Sequence, residues 1–91
     1  MSVVERIIKE SILMQLRKLE KRYERSAARH SRSGDPDPFE ARLASRVRDA
    51  VEALAAEDDA RVLEKVNDWA VSKPAQAVDL LLRRADDRAR W

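Results

Sequence analysis

The chain contains no cysteine, one histidine and one glycine among its 91 residues. The absence of cysteine excludes a disulfide scaffold, a thiolate metal site and a cysteine nucleophile. A single histidine excludes a metal site built from several histidines, and a single glycine excludes a glycine-rich loop that would cradle a phosphate. With only three prolines as well, the composition argues against collagen-like, low-complexity and turn-rich β architectures.

Residue types that serve in catalysis are present, but their pattern does not predict an active site. His30 lies at the end of a predicted helix beside a loop, where no rigid surroundings would hold it against a partner. The acidic runs at residues 57–59 and 86–87 point neighbouring carboxylates in different directions and lack the spacing of a calcium loop. We therefore expect a non-enzymatic protein without a cofactor or metal, in which the acidic runs cap helices and solvate the surface.

The length of the chain predicts a single domain over residues 1–91, because domains typically have roughly 100–150 residues. The net charge is +2, but it is unevenly distributed. Residues 1–34 carry nine basic and four acidic side chains, and residues 35–91 carry ten and thirteen. Such polarity can steer a charged partner, or pair two copies head to tail.

The apolar N-terminal segment is interrupted early by charged residues. Glu5, Arg6, Lys9 and Glu10 break it before it reaches the length of a signal peptide or of a transmembrane helix. We therefore expect a cytoplasmic protein that has no membrane partner.

Apolar residues recur at helical spacing in four segments, which predicts an all-α fold: a small bundle of about four helices with a long N-terminal helix. The first helix is expected over about residues 3–30, where no glycine or proline interrupts the pattern. A proline-rich loop over residues 31–38 follows, and the remaining helices are expected over about 38–56, 59–71 and 74–88.

Side chains suited to capping mark the predicted helix starts. Asp37, followed by Pro38 and Glu40, resembles a capping box at the start of the second helix. Asp58 or Asp59 is expected to cap the third helix. Ser72 is expected to cap the fourth.

The first helix carries more apolar residues than one side of a small bundle can cover. A chain of this size buries only about two-thirds of its surface, so its stability is marginal. We therefore expect a homo-oligomer, with a symmetric dimer favoured as the commonest form. The residues expected to mediate self-association share one stripe: Val4, Ile8, Ile12, Leu16 and Leu19.

A basic ridge occupies the second half of the first helix. It comprises Arg17, Lys18, Lys21, Arg22, Arg25, Arg29 and Arg32. Most of it would form a line about 20 Å long that could follow a phosphate backbone and bind by releasing counterions. In the alternative, the ridge is a solvated face in which Arg17 pairs with Glu20 and Lys21 with Glu24.

Two functional hypotheses follow from these patterns. The first is a protein–protein interaction or regulatory module that self-associates through the apolar face of its first helix. The second is a nucleic-acid-binding regulator that uses the basic ridge Arg17–Arg32. The same ridge also fits an adaptor or antitoxin-like partner of a larger acidic protein. Trp69 is expected in the core, whereas Trp91 is either exposed or an anchor on a partner.

Overall fold

The computed structural model of the chain describes residues 3–32 and 38–90, and the side chains of residues 30–32 and 38 lie outside that description. Four α-helices account for nearly all of these residues, and no strand occurs among them. They are α1 (Val3–Arg32), α2 (Pro38–Ala56), α3 (Ala60–Ser72) and α4 (Pro74–Arg90). The predicted fold class is therefore confirmed, with a first helix that continues slightly beyond His30. The predicted cap at Asp37 lies outside the described residues.

α1 packs against all three other helices and spans the long dimension of the molecule, whose extents are 47 × 28 × 18 Å. It runs antiparallel to α2, because Glu24 contacts Arg48 while Lys9 contacts Ala55. The Lys9 ammonium donates a 3.3 Å hydrogen bond to the Ala55 carbonyl at the end of α2. The turns of α1 before Lys9 therefore extend past α2.

The core lies between α1 and the other three helices. Its larger members are Ile12, Leu16, Leu19, Val47, Leu54, Leu63, Val66, Val78 and Leu81. Small buried residues such as Ala50, Ala70 and Ala77 lie among them and allow the helix backbones to approach closely. Every helix therefore contributes to one continuous core.

Three of the five residues predicted to mediate self-association belong to this core. Ile12 and Leu16 are 0% exposed and Leu19 is 6% exposed, so none of them is available to a second copy. The other helices cover this face of α1 along its middle, and helical periodicity does not distinguish such a face from an interface between chains. Ile8 is half-buried against the core, and Val4 is largely exposed.

The start of α3 follows the sequence prediction. Asp59 is the N-cap residue, and its carboxylate accepts a 2.9 Å hydrogen bond from the Arg61 backbone N–H. This bond satisfies one of the backbone donors that a helix leaves unpaired in its first turn.

The junction of α3 and α4 differs from the prediction. Ser72 is the last residue of α3, and its hydroxyl donates back to the Asp68 carbonyl at 3.3 Å instead of capping α4. The Lys73 carbonyl accepts hydrogen bonds from the backbone N–H groups of Gln76 (3.0 Å) and Ala77 (3.1 Å). α4 therefore begins on a backbone turn, with Pro74 as its first residue.

Trp69 lies at the edge of the core, half-buried, and not in its centre. The Lys65 ammonium lies 4.9 Å from the centroid of its ring, a cation–π distance. Trp91 lies outside the described residues, so the two interpretations of it stay open.

Candidate interaction surfaces

The solvent-facing side of α1 begins with an apolar patch, here called the apolar end. It consists of Val3, Val4, Ile7 and Met14, each more than half exposed. Val3, Ile7 and Met14 are separated by four and seven residues, so they align along the helix, with the exposed Glu10 between Ile7 and Met14. Most of this patch lies on the turns that extend past α2, where no other helix covers it.

The same side of α1 continues as a cluster of positive charges, here called the basic cluster. It consists of Lys18, Lys21, Arg22, Arg25 and Arg29, which are all exposed and line one shallow depression. Lys18, Lys21 and Arg25 continue the line of the apolar end at helical spacing. From Lys18 to Arg29 the helix rises about 17 Å.

No carboxylate within the described part of the chain forms an ion pair with the basic cluster. Glu24 forms an ion pair with Arg48 of α2, at 3.1 Å between Oε1 and Nη1, and none with Lys21. The two ion pairs that the solvated-face alternative assumed, Arg17 with Glu20 and Lys21 with Glu24, are therefore not formed among the described residues.

The structure brings together five of the seven residues of the predicted basic ridge. Arg17 lines a groove between α1 and α2 together with Lys21 of the basic cluster and three carboxylates, Glu20, Glu24 and Glu52. Arg17 forms no ion pair with Glu20 among the described residues. The side chain of Arg32 lies outside the described residues, as does that of His30.

Among the described residues, the most extensively bonded polar side chain is Glu57, which follows α2 and is fully buried. Its carboxylate accepts hydrogen bonds from Arg84 Nε at 3.2 Å and Nη2 at 3.0 Å, and from Arg88 Nη1 at 2.7 Å. The Asp59 backbone N–H donates a further bond at 3.2 Å. Arg88 also donates through Nη2 to the Ala53 carbonyl at 3.2 Å. Glu57 thus joins α4 to the end of α2.

This environment determines the protonation state of Glu57. Burial on its own raises the pKa of the carboxyl, but the hydrogen bonds from Arg84, Arg88 and the Asp59 N–H outweigh burial and lower that pKa from 4.5 to about 2. In turn the hydrogen bond and the charge of Glu57 raise the pKa of Arg84. A carboxylate that is ionised, enclosed and fully bonded has no capacity to act as a general base, so its role is structural.

The sequence analysis assigned Glu57 to capping and solubility and missed this contact. A signal was present in α4, where Arg84 and Arg88 are four residues apart on the side that also carries Leu81. Two partly buried arginines on a core-facing side are favoured by an acceptor nearby. The sequence alone does not identify that acceptor, because Glu57 is distant along the chain.

The chain matches no family model, no curated protein and no solved structure. Within the described ranges, no three carboxylate or imidazole side chains lie close enough together to hold a metal ion. None of the described helices combines the length and the apolar composition that crossing a bilayer requires.

Proposed function

We propose that the chain is a non-enzymatic, cytoplasmic interaction or regulatory module that self-associates through the apolar end of α1. The supporting observation is the exposure of four large apolar side chains on one side of α1, although the exposed Glu10 lies between Ile7 and Met14. Exposed apolar patches of this kind mark interaction sites, since hiding them from water is favourable. Val4 is retained from the original prediction, and Val3, Ile7 and Met14 replace the residues that lie in the core.

The charge of α1 favours one orientation of the two copies. A parallel pair would place the two basic clusters against each other, whereas an antiparallel pair centred on Ile7 separates them. The patch supplies only part of the roughly 800 Å² that each partner contributes to a standard interface. We therefore expect a weak, antiparallel dimer that forms at high protein concentration.

Sedimentation equilibrium tests this proposal over protein concentrations from about 10 µM to about 1 mM. The test variant combines Ile7→Gln with Met14→Gln, which removes apolar surface while keeping good helix formers. Val71→Gln is the control, because Val71 is an aliphatic residue on α3 that is at least as exposed as Ile7 and Met14. Wild type and control should dimerise, and the double variant should stay monomeric. A monomeric wild type, or equal weakening by the control, would contradict the proposal.

A second candidate function, a nucleic-acid-binding regulator, is favoured by the five exposed cations of the basic cluster, none of which forms an ion pair with a carboxylate among the described residues. Five cations along one helix face can contact successive phosphates, and binding would then release counterions. Each phosphate contact contributes about −0.9 to the slope of log K against log salt, so five contacts would give a slope of up to about −4.5.

Fluorescence anisotropy with a short random-sequence DNA duplex tests this candidate across a salt series. Replacing Arg22 and Arg25 with Glu should abolish binding without loss of helicity. The matched control replaces Arg42 and Arg83 with Glu, which makes the same charge change at exposed positions of α2 and α4. This candidate would be eliminated if DNA binding were unchanged by the Arg22 and Arg25 substitutions. It would also be eliminated if the Arg42 and Arg83 substitutions weakened binding as much.

A further inference from the structure

A further concave surface lies between α1 and the corner at which α3 meets α4, and is here called the α1–α3 groove. Its apolar lining residues are Leu19, Ala70, Val71 and Pro74, of which Leu19 and Ala70 are buried. Its volume is about 220 Å³, which is smaller than the roughly 300–1,000 Å³ of typical small-molecule pockets. The groove is therefore suited to one or two side chains of a protein segment.

The charged residues that line the α1–α3 groove are all positive. Lys18 and Arg22 are four residues apart on α1 and form its rim, next to the amide of Gln15. No carboxylate lines the groove in the described part of the chain. Val71 is 72% exposed and presents its aliphatic side chain at the other side. A complementary ligand thus carries negative charge beside an apolar group.

The groove between α2 and α4 does not combine uncompensated positive charge with an exposed apolar side chain in this way. It is lined by acidic and basic side chains together, and Arg46 and Asp79 within it form an ion pair at 2.6 Å. Much of its charge is compensated inside the chain. The α1–α3 groove offers uncompensated cations together with an exposed apolar side chain.

We propose that the α1–α3 groove binds an acidic segment of a partner protein, which places an apolar side chain on Val71 and carboxylates on Lys18 and Arg22. A nucleic-acid backbone would contact the basic cluster, but its charged phosphates would gain no binding energy from the aliphatic side chain of Val71. The proposal rests on the interaction role of the chain, but its surface is separate from the apolar end of α1. The two proposals can therefore fail independently.

An NMR titration of the ¹⁵N-labelled chain tests this proposal with two short peptides of Asp and Glu that differ only at the central residue, leucine or serine. Burial of one large aliphatic side chain predicts that the leucine peptide binds about tenfold more tightly. Its binding should shift the amide resonances of Leu19, Ala70 and Val71. Equal affinities for the two peptides, no binding of either, or shifts confined to residues 18–29 would overturn the proposal.

Substitutions at the groove separate its two components. Val71→Gln should remove the preference for leucine while leaving the serine peptide unaffected. Lys18→Glu with Arg22→Glu should abolish binding of both peptides, whereas Arg42→Glu with Arg83→Glu should leave both affinities within about twofold. A preference for leucine that survives Val71→Gln would overturn the proposal.

Two further comparisons distinguish this site from the other proposed functions. Ile7→Gln with Met14→Gln should prevent self-association and leave peptide binding intact. A DNA duplex that binds more tightly than the leucine peptide and shifts the same amides would overturn the groove as a protein-binding site in favour of nucleic acid.

Discussion

The contact between Glu57 and the two arginines of α4 gives the most quantitative prediction. The carboxyl has a pKa of about 2 in the folded chain and 4.5 as its ordinary value. This difference corresponds to about 3 kcal/mol of stability while the carboxylate is ionised. A chain of this length has a total unfolding free energy of roughly 5–14 kcal/mol, so the contact supplies a substantial part of it.

The sign of the pH dependence follows from the lowered pKa. Because the unfolded chain binds this proton at a higher pH than the folded chain, the stabilisation is complete above about pH 4.5 and is lost as the pH falls towards 2. Glu57→Gln removes the charge at every pH. The variant should therefore be about 3 kcal/mol less stable than wild type at pH 7, and the difference should shrink across this acid range.

Urea unfolding followed by circular dichroism at several pH values measures this effect. Glu64→Gln is the matched control, because Glu64 is exposed and has no ion pair among the described residues. The control should follow the wild-type profile. A Glu57→Gln variant as stable as wild type at pH 7, with a parallel decline in acid, would refute the reasoning.

Three further predictions concern the stability of the bundle. Leu16→Ala should lower the unfolding free energy by about 2–5 kcal/mol, because it leaves a cavity at the centre of the core; a loss below 1 kcal/mol in urea unfolding would contradict that placement. Asp59→Ala should cost about 1 kcal/mol by removing the bond to the Arg61 N–H, seen as a lower Tm, whereas Asp59→Asn should retain most of the stability. Arg46 and Asp79 are both half-exposed, so a double-mutant cycle should give a coupling energy of less than about 1 kcal/mol despite their short distance; a larger value would show that the pair is rigidly held.

The fold was largely predictable because its signals are local. Pro38, Asp59 and Pro74 mark helix starts through backbone and capping chemistry that acts within a few residues. The apolar period of each helix likewise indicates which residues share a face.

The surfaces were harder to predict because they depend on contacts between distant residues. Periodicity placed Ile12 and Leu16 on one face but did not show that this face packs against the same chain. Glu24 had a basic neighbour within its own helix, yet it pairs across to Arg48. The burial of Glu57 depends on arginines that only the tertiary fold brings to it.

The inner face of α1 is core, and we propose that its apolar end is the surface through which two copies meet. An NMR dilution series of the ¹⁵N-labelled chain tests both parts at once. The account predicts concentration-dependent amide shifts over residues 3–14 and constant shifts at Leu63 and Leu81, which lie deep in the core. Amide resonances of residues 3–14 that do not move with concentration would contradict this surface. Concentration-dependent changes located mainly elsewhere in the chain would contradict it as well.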